Sequence, residues 1–146
     1  MLVPHGTHIL AVDGGRMQIL VNRGQEQAPD LEVLVETAQV NPASHVMEAD
    51  APGRTFESAT RGGSSHDAAD LHQRREDEFI EKAGERFEKL VGKEGALIVI
   101  APPKALGLLR QSLSPAMAKR IVGEIHKDIA HRPPEEIAML LKAHRE

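Results

Sequence analysis

The feature that most constrains the fold is a short apolar segment in the second half of the chain. Residues 96–101 read Ala-Leu-Ile-Val-Ile-Ala, and Pro102 follows them. A continuous run of this kind, rich in β-branched side chains, predicts a strand that is buried on both faces. Because such a strand needs helices on both sides of its sheet, we expect a three-layer α/β fold. The length of 146 residues fits one domain spanning residues 1–146.

Two earlier segments predict an antiparallel start to the sheet. Residues 8–20 contain two apolar runs on either side of Asp13-Gly14-Gly15, a turn sequence that is typical of a tight hairpin with positive φ angles. Residues 31–40 alternate apolar and polar side chains, as a strand with one more polar face does. We therefore expect a mixed sheet that opens with an antiparallel hairpin.

The remaining periodic segments are helical, with one ambiguity. Apolar residues recur at helical spacing in three segments, residues 70–93, 104–113 and 133–145. Asp67 or Asp70 is expected to cap the first helix, and Ser114-Pro115 is expected to start a further one as its cap and first residue. Residues 121–129 fit both the spacing of a helix and the alternation of a strand, and the pattern alone does not decide between them.

Residues 41–75 show neither the apolar spacing of a helix nor the alternation of a strand. The segment is rich in Pro, Gly, Ser, Thr and Asp, and it is longer than loops in compact domains usually are. We expect a long flexible loop at about residues 41–75. Loops of this length often carry a binding function, so the segment is a candidate recognition surface.

Composition and charge exclude several classes of function. The formal net charge is −4, so no overall positive field indicates binding to nucleic acid or to membranes. The absence of cysteine excludes disulfides, thiolate metal centres and cysteine nucleophiles. The sequence has no nucleophile-elbow, dinucleotide-binding or Walker motif, so we expect no cofactor. No apolar stretch approaches the ~18 residues of a membrane span, and we expect a cytoplasmic location without membrane insertion.

Four stretches together resemble a known family. They are residues 12–16 (Val-Asp-Gly-Gly-Arg), 52–58 (Pro-Gly-Arg-Thr-Phe-Glu-Ser), 101–110 and 125–129. In this combination, which covers essentially the whole chain, the sequence resembles bacterial proteins required for attachment to host cells. That family is related to the middle domain of archaeal and eukaryotic release factors and Pelota. The resemblance implies a ribonuclease-H-like α/β fold, and it favours a strand within residues 121–129, at least toward their end.

The resemblance also directs attention to Arg61-Gly62-Gly63-Ser64, at the place where release factors carry Gly-Gly-Gln. Because the glutamine is missing, peptidyl-tRNA hydrolysis of the release-factor kind is not expected. We expect an anion, RNA or another partner to contact a set of basic and glycine residues, namely Arg54, Arg61, Gly62, Gly63, Lys104 and Arg110. The alternative interpretation is a flexible Gly-Gly-Ser linker with solvated charges around it.

The leading hypothesis is a non-catalytic interaction domain of the host-attachment family that binds the ribosome, another RNA or a protein partner. The alternative is a metal-dependent nuclease or phosphoesterase, in which Asp13 binds a divalent cation with acids drawn from Glu36, Glu124 and Asp128. In the simpler interpretation Asp13 is a turn residue that binds its own backbone amides. A structure tests whether these acids converge.

Two further interpretations of the surface remain open. His66, Asp67, Asp70 and His72 have spacing that suits either a second metal cluster or a solvated helix start. The expected recognition surface, which consists of the loop at residues 52–75 and the edge that carries Lys104 and Arg110, is also compatible with a homo-oligomer interface.

Overall fold

The computed structural model describes residues 1–39 and 64–145, with residues 64–67 described by their backbone alone. The elements in these ranges are, in chain order, β1 (His8–Val12), β2 (Arg16–Asn22), β3 (Leu31–Ala38), α1 (Ser64–Leu90), β4 (Leu97–Ile100), α2 (Pro103–Ser112), α3 (Pro115–Arg120), β5 (Ile121–Ile125) and α4 (Pro134–Ala143). None of these helices is both long enough and apolar enough to cross a membrane.

The strands form one mixed sheet in the order β3-β2-β1-β4-β5. β1 lies in the middle, antiparallel to β2 and parallel to β4, and β5 extends the parallel half at the edge. The antiparallel start predicted from the sequence is therefore confirmed. The ambiguous segment is a strand over Ile121–Ile125, which is the start of residues 121–129 rather than their end.

β4 lies inside the sheet, between β1 and β5, and helices cover both of its faces. All four residues of β4 are buried. Leu97 and Val99 pack on one face with α1, α2 and α3, where Phe87 is fully buried. Ile98 and Ile100 pack on the opposite face with α4. The three-layer α/β fold predicted from this apolar run is confirmed.

The turn between β1 and β2 is built differently from the prediction. Neither Gly14 nor Gly15 has a positive φ. Instead, Asp13 Oδ1 accepts hydrogen bonds from the backbone N–H groups of Gly15 and Arg16, each at 2.7 Å. Position 14 approaches α1 closely, because a Cβ there would lie 2.9 Å from the carboxyl group of Glu76, whose side chain would have to shift. The turn is thus held by the Asp13 side chain and packs closely on α1.

Helix α1 corrects one predicted boundary. It begins at Ser64, so residues 64–75 are helical rather than part of a loop that extends to residue 75. Residues 68–72 are all exposed, which means that the first turns of α1 have no apolar face for periodicity to reveal. The loop predicted for residues 41–63 lies outside the described residues.

The helix boundaries that proline and serine mark agree with the prediction. α2 and α3 each begin with a proline, Pro103 and Pro115, in the first helical turn. The hydroxyl of Ser114 accepts a hydrogen bond from the backbone N–H of Met117 and caps α3.

Candidate functional site at the carboxyl edge of the parallel strands

The candidate site lies where β1 and β4 end side by side. These two strands are parallel neighbours, and the chain leaves them in opposite directions along the sheet, toward β2 and toward β5. Open α/β sheets bind ligands outside the carboxyl ends of their strands at such a point. Asp13 follows β1 directly, Lys104 follows β4 after two prolines, and Asp128 follows β5.

A cluster of three possible ligands occupies this edge. One ligand atom from each of Asp13, Asp128 and His131 lies within 4.8 Å of the other two. Asp13 is half-buried, whereas Asp128 and His131 are exposed. The structure thus brings together Asp13 and Asp128, which the sequence predicted, and adds His131, which it did not. Asp128 and His131 are only three residues apart, but they lie outside any helix or strand, where this spacing does not indicate that two side chains lie on one face.

The carboxyl groups of Asp13 and Asp128 lie close enough to interact. The hydrogen bond between the side chains of Asp128 and Asp13 raises the pKa of Asp128, and partial burial and the negative charge of Asp13 act in the same direction. The nearby His131 has the opposite effect and lowers this pKa. Two carboxylates held this closely favour a shared proton or a shared cation over two unscreened negative charges.

Gln18 on β2 holds the backbone of the turn that carries His131. The side chain of Gln18 is buried, and its Nε2 donates hydrogen bonds to the carbonyl oxygens of Ala130 at 2.9 Å and Arg132 at 2.7 Å. These carbonyl groups flank His131 in the sequence. The Oε1 atom of Gln18 has no hydrogen-bond partner within the described part of the chain. Sequence reasoning missed Gln18, because one polar residue in a strand resembles ordinary alternation.

The other predicted acids lie elsewhere. Glu124 on β5 forms a two-point ion pair with Arg110 on α2, with Oε1 2.8 Å from Nη2 and Oε2 3.3 Å from Nε. The Glu124 carboxylate raises the pKa of Arg110, and both of its oxygens accept hydrogen bonds from that guanidinium group. Glu36 on β3 is exposed and pairs in register with Gln18, outside the cluster of ligands. Of the acids proposed to join Asp13, only Asp128 does so.

Lys104 and Arg110, the basic residues predicted to share one recognition edge, lie near opposite ends of α2. Lys104 lies in the first turn of α2 and Arg110 in its last turn. Six residues along a helix correspond to about 9 Å along the axis and about 120° around it. Arg110 lies beside Glu124 at β5, whereas Lys104 is exposed in the first turn of α2. A recognition surface shared by these two residues stays a prediction.

Several predicted site residues cannot be placed. Arg54, Arg61, Gly62 and Gly63 lie outside the described residues. The same holds for the side chains of His66 and Asp67, so the second metal cluster stays a prediction. His72, the other histidine of that cluster, lies 3.6 Å from Glu76 on the same helix.

The fold and the site define a class before they define a family. A three-layer domain with a mixed sheet and helices on both faces belongs to the α/β class, in which ligands often bind at the carboxyl edge of the parallel strands. The chain itself belongs to the bacterial archaeo-eukaryotic release factor family 12, whose model matches residues 6–141. This membership confirms the relationship to release factors that the resemblance implied, while the role in host attachment stays a prediction.

Among solved structures, the chain is similar to an archaeal translation termination factor, aRF1, with 16% sequence identity and a TM-score of 0.47. The similarity covers 92% of this chain and 40% of the archaeal chain, so this chain spans less than half the length of that protein. No curated protein matches the sequence.

Proposed function

We propose that the chain is a non-catalytic interaction domain of release-factor type that binds the ribosome through RNA phosphates. The observation that carries this proposal is the family membership, which extends over residues 6–141. The sequence supports the non-catalytic part, because Ser64 follows Gly62-Gly63 at the place where release factors carry glutamine. The role in host attachment implied by the resemblance belongs to the same proposal, as a phenotype rather than a molecular activity.

Lys104 is the described residue that best supports a phosphate contact. It is exposed in the first turn of α2, which contains no acidic residue. The backbone N–H groups of a first helical turn lack partners within the helix and carry partial positive charge. No side chain caps this end of α2. An exposed ammonium group beside uncapped N–H groups suits an anionic oxygen.

The proposed phosphate contacts are Lys104, Arg54 and Arg61, with the backbone amides of Gly62 and Gly63. Arg110 contributes less, because Glu124 already offsets its charge. Since the chain is acidic overall and has no Tyr or Trp, RNA contacts would depend on phosphates more than on base stacking.

Affinity capture from the native cytosol, with and without ribonuclease, tests the proposal. Ribosomal components should be captured, and ribonuclease should release them. In sedimentation with purified ribosomes, affinity should fall steeply between about 50 and 200 mM salt. The triple variant Arg54→Ala/Arg61→Ala/Lys104→Ala should abolish binding and reduce the salt slope, and Arg110→Ala as a fourth change should add little.

The matched control is Lys142→Ala, which removes an exposed lysine from the last turn of α4 and should leave affinity unchanged. Unchanged affinity in the triple variant would overturn the proposal, and a partner that survives ribonuclease would indicate a protein instead. Ribosome binding also requires a cytoplasmic chain, which cell fractionation tests, and light scattering tests the homo-oligomer prediction.

A second candidate function, metal-dependent phosphodiester hydrolysis, is favoured by one observation, the convergence of Asp13 and Asp128. Glu36 and Glu124 lie elsewhere and do not join them. The acids suggested by the sequence therefore do not form the carboxylate-rich site that two-metal hydrolases use. The test is cleavage of single-stranded RNA and of a phosphodiester reporter with added Mn²⁺. Activity that Asp13→Asn and Asp128→Asn abolish would establish this function, and activity equal in the variants would indicate a contaminant.

A further inference from the structure

We propose that Asp13, Asp128 and His131 bind one divalent transition-metal cation, of the Mn²⁺ or Zn²⁺ class, at the carboxyl edge of the parallel strands. This site does not depend on ribosome binding. Hydrolysis, the second candidate function, would require the cation, but the cation can bind without hydrolysis.

The first argument is geometric. The three candidate ligand atoms lie within 4.8 Å of one another. Ligands at about 2.0–2.2 Å from a common cation are roughly 3–4 Å apart. Asp128 and His131 are exposed, so small rotations of their side chains can close this difference. Asp13 is the fixed member, since its Oδ1 already accepts two backbone hydrogen bonds.

The second argument concerns the type of cation. Carboxylates alone favour Mg²⁺ or Ca²⁺, whereas an imidazole nitrogen favours Zn²⁺ and other transition metals. Two carboxylates with one imidazole form a mixed oxygen and nitrogen set, which suits Mn²⁺ or Zn²⁺ and leaves coordination positions for water. The cation would also cancel the repulsion between Asp13 and Asp128.

The third argument comes from Gln18 and does not depend on the carboxylates. Gln18 is 2% exposed, and its Oε1 is a buried acceptor without a partner in the described residues. The two carbonyl oxygens that Nε2 contacts fix the orientation of the amide group, because a reversed amide would place Oε1 against them. Oε1 therefore lies close to the turn that carries His131. A buried acceptor requires a donor, and in this proposal a water molecule bound to the cation is that donor.

The experiment is isothermal titration of the whole chain with MnCl₂ and with ZnCl₂ at neutral pH, with MgCl₂ and CaCl₂ as comparison cations. We expect one Mn²⁺ or Zn²⁺ per chain and clearly weaker binding of Mg²⁺ and Ca²⁺. Asp128→Asn and His131→Gln should each weaken binding at least tenfold. His126→Gln is the matched control, because it removes an exposed histidine from the same segment and should leave affinity unchanged.

A second measurement locates the cation without a substitution. Paramagnetic Mn²⁺ should broaden the amide NMR signals of Gly15 and Arg16 in the turn after β1, and those of residues 128–132, before other signals. The proposal is overturned if no cation binds at millimolar concentration. It is equally overturned if His131→Gln and Asp128→Asn bind as tightly as the unchanged chain, or if broadening begins elsewhere. Circular dichroism of each variant should show an unchanged fold, since Asp128 and His131 are exposed.

Discussion

Replacing Gln18 by leucine should destabilise the fold through the turn at residues 130–132. Leucine is similar in size and suits a buried position, so the main loss is that of two hydrogen bonds to the carbonyl oxygens of Ala130 and Arg132. Each such bond contributes about 1 kcal/mol net, and a buried carbonyl left unpaired costs about 1–3 kcal/mol. Removal of the unpartnered Oε1 offsets part of this cost. We expect Gln18→Leu to lower the free energy of unfolding by about 2 kcal/mol.

The assay is thermal and urea unfolding followed by far-ultraviolet circular dichroism, because a chain without Trp or Tyr has no useful fluorescence signal. A loss of about 2 kcal/mol corresponds to a Tm that is lower by about 6 °C for a domain of this size. The control is Gln111→Leu at an exposed position of α2, which should change stability by less than about 0.5 kcal/mol. If Gln18→Leu is no more destabilising than Gln111→Leu, Gln18 does not hold this turn.

Three further predictions concern other parts of the fold. Burial, and then the positive charges of Arg120 and Arg23, lower the pKa of His8 below its usual 6.5, so the folded state binds fewer protons than the unfolded state. Unfolding at a series of pH values should therefore show that stability falls below pH 6.5. His8→Leu should make stability depend less on pH, and an unchanged pH dependence in that variant would contradict the prediction. Gly14→Ala should lower the free energy of unfolding in urea by about 1 kcal/mol, because its Cβ meets Glu76. Gly107→Ala, in the middle of α2 where a Cβ has nothing within 4 Å, should raise it by about 0.5–1 kcal/mol. Phe87→Ala in the fully buried core should lower the free energy of unfolding by about 3–5 kcal/mol, and a loss below 1 kcal/mol would mean that this core is not packed as described.

Much of the architecture was predictable because it depends on interactions between residues close in the chain. The apolar run at 96–101 required burial on both faces, and the structure places β4 between two layers of helices. Prolines mark the first turns of α2, α3 and α4, where a missing N–H costs nothing. The start of α1 was not predictable, because its exposed first turns bury nothing and show no apolar period.

The sequence by itself determined the class of fold, the strand and helix segments around the core, and the absence of cysteine chemistry. It also singled out Asp13 and Asp128, but only as two acids among several. Tertiary structure alone decided that Asp128 and His131 meet Asp13 and that Glu124 instead pairs with Arg110. It also decided that Gln18 holds the turn at residues 130–132. The physical reason is distance along the chain. Periodicity shows which face of a helix or strand is buried. The site, however, combines the residues that follow β1 and β5, and their meeting depends on the order of the strands in the sheet.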